Sequence, residues 1–366
     1  MKMMSRVRTF LTAHPLAILL VFLPLAILAE FTHWGELWVF SFSAIGVIPM
    51  AGYIGEATEA LAHYTGPKLG GLLNATLGNA AELIITIFAI RKGLLELVKA
   101  SITGSILGNL LLVLGMAMLF GGFRHGVQRF DRRQASHNAV LLAMTVLMLV
   151  VPSLVSHSIH PSEIGLETDM KVEALSLGVA AVMILLYVLG LIYSLKTLEG
   201  PVTVEEQGTL SSGPAWSVRV ALVILGLATL GVAFLSELLV GSVEPVVEHL
   251  GVSEFFIGII FIPIIGNVAE HLVAVQVAMK NKMTLSVEIA VASSLQVALF
   301  VAPVLVFVSL LFGHNLTLTF NQVELVALVA GVMIAALVSA DGESNWLEGA
   351  ELLAVYVILG LAFFLL

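Results

Sequence analysis

Long apolar stretches, separated by short polar loops, fill most of the chain. Each stretch approaches the roughly 20 apolar residues that a helix needs to cross the hydrocarbon core of a membrane. They lie near residues 15–31, 36–62, 69–90, 97–120, 136–154, 172–195, 215–239, 253–278, 284–311, 323–340 and 348–366. The pattern therefore predicts an all-α integral membrane protein with about 11 transmembrane helices.

Composition supports a membrane protein and limits the classes of partner that it could bind. Hydrophobic residues make up 59% of the 366 residues and charged residues only 11%, with a mean hydropathy of +1.06. Because so little polar surface cannot cover a water-soluble globule, the lipid bilayer is the expected environment. The formal net charge of -9 argues against nucleic acid as a partner and favours the handling of cations. The absence of cysteine excludes disulfides and thiolate metal sites, and no resident cofactor is expected.

The distribution of basic residues predicts the orientation in the membrane. Lys2, Arg6 and Arg8 precede the first span, and further arginines lie between the fourth and fifth spans. Short loops rich in Lys and Arg stay in the cytoplasm, so the N-terminus is expected to be cytoplasmic. No clear cleavage site follows the first apolar stretch, which favours a membrane helix over a signal peptide. The expected location is a prokaryotic plasma membrane.

A polar segment at residues 199–214 interrupts the apolar pattern near the middle of the chain. It contains Glu199, Glu205 and Glu206 and hardly any apolar residue. We interpret it as an acidic cytoplasmic linker, either a solvated tether or a patch that concentrates cations. The predicted organisation is an N-terminal helix at residues 1–33, a first transmembrane repeat at 34–198, the linker at 199–214 and a second transmembrane repeat at 215–366.

The two halves of the chain share a repeated motif. Residues 78–82, Gly-Asn-Ala-Ala-Glu, match residues 266–270, Gly-Asn-Val-Ala-Glu, at an offset of 188 (266 minus 78). With the predicted spans, the helix of the first motif runs outward and the helix of the second runs inward, so the repeats are inverted. Inverted repeats with interrupted helices are typical of secondary transporters, because two pseudo-symmetric halves can expose one central site to each side in turn.

Two acidic residues of this motif, Glu82 and Glu270, lie inside predicted membrane spans. Burying an ionised side chain there costs about 2.5 kcal/mol or more, so both are functional candidates. Oxygen-bearing side chains accompany them in the same or the following span, and helical spacings of three or four place them on common faces. These supporting residues are Asn79, Asn267, Ser105, Asn109, Ser293 and Gln296. Hard oxygen donors with two carboxylates suit Ca²⁺, which takes about six to eight oxygens, better than Zn²⁺.

The same carboxylates can couple metal transport to protons. Two carboxylates close together in low-dielectric surroundings hold protons when no metal is bound, so metal and protons compete for the same oxygens. Four further residues are candidates for an ion vestibule or gate: Glu56, Glu59, Glu244 and His271. Each also has an ordinary explanation, as a charge at a helix end or, for the histidine, as a structural side chain.

These motifs resemble those of the calcium/proton exchanger (CAX) family within the calcium/cation antiporter superfamily. The resemblance rests on residues 78–82 with the Gly-Ser-Ile-Leu-Gly-Asn segment 104–109, and on residues 266–271 with the Ser-Ser-Leu-Gln segment 293–296. It implies two inverted five-helix repeats after an extra N-terminal helix. It also implies that Glu82 and Glu270 bind either the metal or protons. The implied contributors of side-chain or backbone oxygens are Asn79, Asn267, Ser105, Ser293 and Gln296.

Three other functions are alternatives to Ca²⁺/H⁺ exchange. A sodium/calcium exchanger would share the superfamily fold, but His271 and the segment 293–296 favour protons. An intramembrane metalloprotease would need a motif such as His-Glu-x-x-His, which the sequence lacks. A passive channel would need oligomeric symmetry rather than repeats within one chain. The sequence is compatible with a homo-oligomer and leaves open whether Ca²⁺, Mn²⁺ or Cd²⁺ is preferred.

Overall fold

The computed structural model describes residues 15–158, 166–196 and 216–366. Nearly all of these residues are helical, which confirms the predicted all-α class. The predicted linker at residues 199–214 and the basic residues of the N-terminus lie outside the described residues.

The first part of the chain starts with a 3₁₀ turn at Pro15–Val21 and continues with helices. These helices are α1 Phe22–Phe31, α2 Glu36–Leu77, α3 Ala80–Lys92, α4 Leu95–Leu107, α5 Leu114–His125, α6 Arg132–Ser158 and α7 Leu166–Lys196. A π-helical segment, Gly108–Val113, joins α4 to α5. Helix α2 kinks at Gly66, whose φ of 78° lies outside the helical region and precedes Pro67.

The second part of the chain is also helical. Its helices are α8 Val218–Gly241, α9 Val243–Leu250, α10 Glu254–Phe256, α11 Ile262–Met279, α12 Met283–Gln296, α13 Ala302–Phe312, α14 Gln322–Val338 and α15 Trp346–Phe364. π-helical segments join α10 to α11 at Ile257–Phe261 and α12 to α13 at Val297–Val301. Two short strands, β1 Gln128–Arg129 and β2 Glu343–Ser344, pair antiparallel.

Most predicted spans correspond to apolar helices of the structure. Eight described helical spans are long and apolar enough to cross a membrane: Glu36–Gly66, Leu95–His125, Arg132–Ser156, Met170–Tyr193, Val218–Gly241, Glu254–Met279, Met283–Phe312 and Trp346–Phe364. Two shorter apolar helices, Leu16–Phe31 and Gln322–Val338, match two further predictions. The predicted stretch at residues 69–90 is divided in the structure, where a turn at Gly78 and Asn79 separates α2 from α3.

The described residues form two compact units that are interleaved along the chain. One unit draws on the described residues within Met1–Phe88, Leu198–Gly251 and Ile265–Ala269, and in it α2 packs against α1 and α8. The other draws on the described residues within Ala89–Thr197, Val252–Ile264 and Glu270–Leu366. In this second unit α4 packs against α14 and against the π-helical segment Ile257–Phe261, and α5 packs against α15. Helix α11 contributes residues to both units.

The backbone repeats at the same offset as the sequence motif. Gly93 and Asn281, which are 188 positions apart, both have left-handed backbone angles, with φ of 81° and 60°. Helices α4 and α12 each begin two residues later, and each ends in a π-helical segment. The internal repeat found in the sequence therefore extends to local backbone geometry.

Candidate ion-binding site

Glu82 lies in the interior, in the first turn of α3. Its exposed fraction is 0%, and Asn267 of α11 places its amide Nδ2 3.4 Å from the Glu82 carboxylate Oε2. A Cβ on Gly266 would lie in ordinary contact with Glu82, 3.4 Å from its Cβ, so Gly266 also lies beside this residue. The motif residues of the two chain halves therefore meet around this carboxylate.

The break before α3 sets the position of Glu82. Asn79 is buried and lies in the break, and its backbone carbonyl accepts the first helical hydrogen bond, from Leu83 N at 2.9 Å. A carboxylate in the first turn lies at the positive end of the helix dipole, which favours negative charge. The local fold thus offsets part of the cost of placing an acidic group in the interior.

Glu270 ends a chain of hydrogen bonds in the other unit. Ser293 Oγ of α12 donates to Glu270 Oε2 at 2.9 Å, and Asn109 Nδ2 donates to Ser293 Oγ at 3.0 Å. His271 Nε2 lies 3.2 Å from Asn109 Oδ1. Asn109, Ser293 and His271 are all buried. The structure therefore joins four predicted site residues in one network.

Ser105 and Gln296 lie on the helices that carry this network. Ser105 is buried in α4, one turn before Asn109, and Gln296 is the half-buried last residue of α12. Both helices pass directly into π-helical segments, and Asn109 itself lies in one. Such segments occur often at functional sites, because the wider turn changes the direction of the following side chains.

Glu56, Glu59 and Glu244 are exposed rather than interior. The first two lie in α2 before the kink, and Glu244 lies in the first turn of α9. Exposure agrees both with a vestibule and with ordinary charge at a helix end. The vestibule role of these three residues stays a prediction.

Two acidic residues that were not predicted from the sequence, Glu324 and Glu254, make interior contacts. Glu324 is 3% exposed and accepts hydrogen bonds from Thr103 Oγ1 at 3.1 Å and from the backbone N of Asn321 at 2.8 Å. The Asn-x-x-Glu capping pattern at residues 321–324 is a signal that could have identified it. Glu254 Oε1 accepts from the backbone N of Leu97 at 3.0 Å, and no local signal reveals a partner 157 residues away.

Two glycines set a close crossing between α4 and the segment around α10 and α11. A Cβ on Gly104 would collide with the carbonyl oxygen of Ile259 and lie 2.7 Å from Pro263 Cγ. A Cβ on Gly258 would lie 2.8 Å from the carbonyl oxygen of Leu97. The position of α4, which carries Ser105, therefore depends on the absence of side chains at these glycines.

The candidate donors are single carboxylates accompanied by neutral oxygens. Within residues 15–158, 166–196 and 216–366, no group of three or more His, Asp or Glu side chains could hold a metal ion. A cation near Glu82 or Glu270 would therefore also use amide, hydroxyl or backbone oxygens, all of which Ca²⁺ accepts.

Comparison with known proteins assigns the family. The family described as sodium/calcium exchanger protein matches residues 35–196 and 220–365. The chain is 46% identical over 359 residues to a Ca²⁺/H⁺ antiporter of Aphanothece halophytica, with 94% of this chain and 95% of that protein covered. It is 45% identical over 346 residues to the Ca²⁺/H⁺ antiporter ChaA of Bacillus subtilis (strain 168), with 94% and 96% covered. The solved structure of native YfkE is 42% identical and superposes with a TM-score of 0.83 over 96% of this chain and 100% of that one. The chain therefore belongs to the sodium/calcium exchanger protein family.

Proposed function

We propose that this integral membrane protein is a secondary antiporter that exchanges Ca²⁺ for H⁺. The observation that carries the proposal is a repeated motif that supplies an acidic residue from each half of the chain, each of which accepts a hydrogen bond from a polar side chain. Asn267 contacts Glu82, and Ser293 contacts Glu270. The similarity to Ca²⁺/H⁺ antiporters of 45–46% identity over nearly the full length supports the same activity.

Glu82 and Glu270 are the proposed carriers of the exchanged ions. Two carboxylates neutralise one Ca²⁺, and the same oxygens can take protons instead. Asn79, Asn267, Ser105, Ser293 and Gln296 would complete the coordination through side-chain or neighbouring backbone oxygens, which suits the irregular coordination of Ca²⁺.

Charge balance explains why the exchange would be coupled. A site loaded with Ca²⁺ or with protons carries little net charge, whereas an empty site leaves ionised carboxylates in apolar surroundings. Each such charge costs about 2.5 kcal/mol or more. Access would therefore switch between the two membrane sides mainly in the loaded states, which is the condition for antiport.

The proposed architecture has 11 spanning segments, counting the broken pair around Gly78 as one segment. They form two inverted five-helix repeats after an extra N-terminal helix, with the N-terminus in the cytoplasm of a bacterium. The match of the backbone at an offset of 188 residues supports the repeat. Inversion would let one mechanism serve both sides of the membrane.

Uptake of ⁴⁵Ca²⁺ into proteoliposomes with an acidic interior tests this function. We expect uptake that needs the pH gradient, collapses with a protonophore and does not need sodium. Glu82→Gln and Glu270→Gln should each abolish it while the protein stays monodisperse. Competition with unlabelled Mn²⁺ or Cd²⁺ would establish the ion preference.

Glu351→Gln is a matched control. Glu351 is an exposed acid of α15, so its replacement removes the same charge without touching the proposed carriers. It should transport like the parent. Uptake that requires a sodium gradient would favour the alternative, a sodium/calcium exchanger. Normal uptake in either carrier variant would remove that residue from the mechanism.

A further inference from the structure

We propose that Asn109 and His271 are positioning residues that hold the Glu270 carboxylate for ion binding and are neither metal ligands nor gates. This inference rests on the proposed function, since it assumes that Glu270 carries the exchanged ion. It deepens that function by assigning separate tasks to residues that share one network.

The contacts of the Ser293 hydroxyl fix the direction of its hydrogen. A hydroxyl has one hydrogen to donate. Asn109 Nδ2 donates to Ser293 Oγ at 3.0 Å, and Ser293 Oγ is 2.9 Å from Glu270 Oε2. Because the amide occupies the acceptor side of the hydroxyl, the hydroxyl hydrogen points toward the carboxylate. Asn109 therefore fixes one oxygen of Glu270 through Ser293 and leaves Oε1 for an ion.

The Asn109 amide is occupied at both ends. Its Nδ2 contacts Ser293, and its Oδ1 lies 3.2 Å from His271 Nε2. An amide oxygen only accepts, so His271 carries a hydrogen on Nε2 and donates it. Both ends of the amide therefore make contacts within the network, which favours a positioning role over the ligand role that the sequence alone suggested. His271 in turn prevents the amide from rotating.

The contact between Asn109 and His271 is not repeated in the sequence. At the repeat offset of 188 residues, Ser293 corresponds to Ser105, but Asn109 corresponds to Val297 and His271 corresponds to Leu83. The repeat partners of Asn109 and His271 are therefore apolar and cannot form the same hydrogen bond. The positioning role proposed for Asn109 and His271 therefore concerns Glu270.

The test measures the apparent KM for Ca²⁺ and the Vmax of pH-driven ⁴⁵Ca²⁺ uptake in Asn109→Leu, His271→Leu, the double variant and His271→Gln. Loss of groups that orient a metal-binding side chain commonly costs about 10-fold to 100-fold in affinity or activity. We expect each leucine variant to raise KM about 10-fold with a smaller change in Vmax. The double variant should be no worse than Asn109→Leu. His271→Gln, whose amide can still donate to Asn109, should restore most of the affinity.

Controls separate this inference from the function on which it rests. Ser294→Ala should match the parent, because that neighbouring hydroxyl donates within its own helix, to Ala290 O. The positioning role would be overturned if His271→Leu had the same KM as the parent, or if the KM increases of the two single variants multiplied in the double variant. In either case, loss of transport in Glu270→Gln would still support the antiport function. A parent without pH-driven uptake would overturn both.

If Asn109→Leu does not yield monodisperse protein, Asn109→Asp replaces it. Aspartate keeps an acceptor for His271 but removes the donor to Ser293, so the hydroxyl can turn from Glu270 to the new carboxylate. We expect KM to rise about 10-fold or more. A lower KM would show that residue 109 touches the cation directly, because an added negative ligand strengthens Ca²⁺ binding.

Discussion

Replacement of Gly104 by alanine should destabilise the protein, although alanine normally favours a helix. The new Cβ would collide with the carbonyl oxygen of Ile259 and lie 2.7 Å from Pro263 Cγ. A backbone carbonyl cannot move away by changing a rotamer. Helix α4 and the facing segment would therefore have to separate.

Two opposing effects determine the magnitude. Alanine in a helix interior is about 1 kcal/mol more favourable than glycine. Overpacking of a tight contact costs about 1–3 kcal/mol, and the rigid obstacle places Gly104 near the upper value. The expected net loss in the free energy of unfolding is about 2 kcal/mol, from about 3 lost and about 1 gained. The shift of α4 would also displace Ser105, so transport should fall as well.

Thermal unfolding in detergent, followed by tryptophan fluorescence, tests this prediction against Gly190→Ala. Gly190 lies in α7, and a Cβ there would have no neighbour within 4 Å. Gly190→Ala should melt at or slightly above the parent temperature, whereas Gly104→Ala should melt lower by about 2–3 °C, since a chain of this length shifts by about 1.3 °C per kcal/mol. A Gly104→Ala protein as stable as the parent would refute the close crossing.

Substitutions at individual contacts and a change of pH provide further tests. Glu254→Ala should lower the melting temperature by the equivalent of about 1 kcal/mol, because it removes the acceptor for the Leu97 amide, and Glu254→Gln should lose less. Thr103→Val should cost about 1–3 kcal/mol by removing a hydrogen bond to the buried Glu324, and an unchanged melting curve would contradict that contact. Arg129→Ala should cost under about 1 kcal/mol, since its ion pair is exposed. In transport assays, the apparent KM for Ca²⁺ should rise as the pH on the Ca²⁺ side falls from about 8 to 6, because protons occupy the same carboxylates, and a pH-independent KM would contradict this competition.

The sequence predicts the architecture well because lipid imposes a simple rule on composition. A membrane helix must be predominantly apolar over about 20 residues, so hydropathy alone locates ten of the predicted stretches. The exception, residues 69–90, is instructive. Hydropathy alone does not register the break at Gly78 and Asn79, and the signal there is instead the low helix propensity of these two residues.

The candidate site could be predicted as a set of residues but not as a network. The cost of burying a charge in a membrane identifies Glu82 and Glu270 as candidates. Helical spacing identifies the polar side chains that share a helix face with them. The contact of Asn267 with Glu82 and that of Ser293 with Glu270 follow from helix packing and side-chain rotamers, which spacing does not encode. For the same reason the contact of Glu254 with the start of α4 was not expected.

If Glu82 and Glu270 hold either a divalent cation or protons, as proposed, Ca²⁺ binding must displace protons. One experiment measures proton release beside ⁴⁵Ca²⁺ binding, with the purified protein in weakly buffered detergent solution near pH 6. We expect the parent to release protons in proportion to the Ca²⁺ it binds, and Glu82→Gln and Glu270→Gln to lose both signals. Ca²⁺ binding without proton release in the parent, or undiminished binding in either variant, would contradict the proposal.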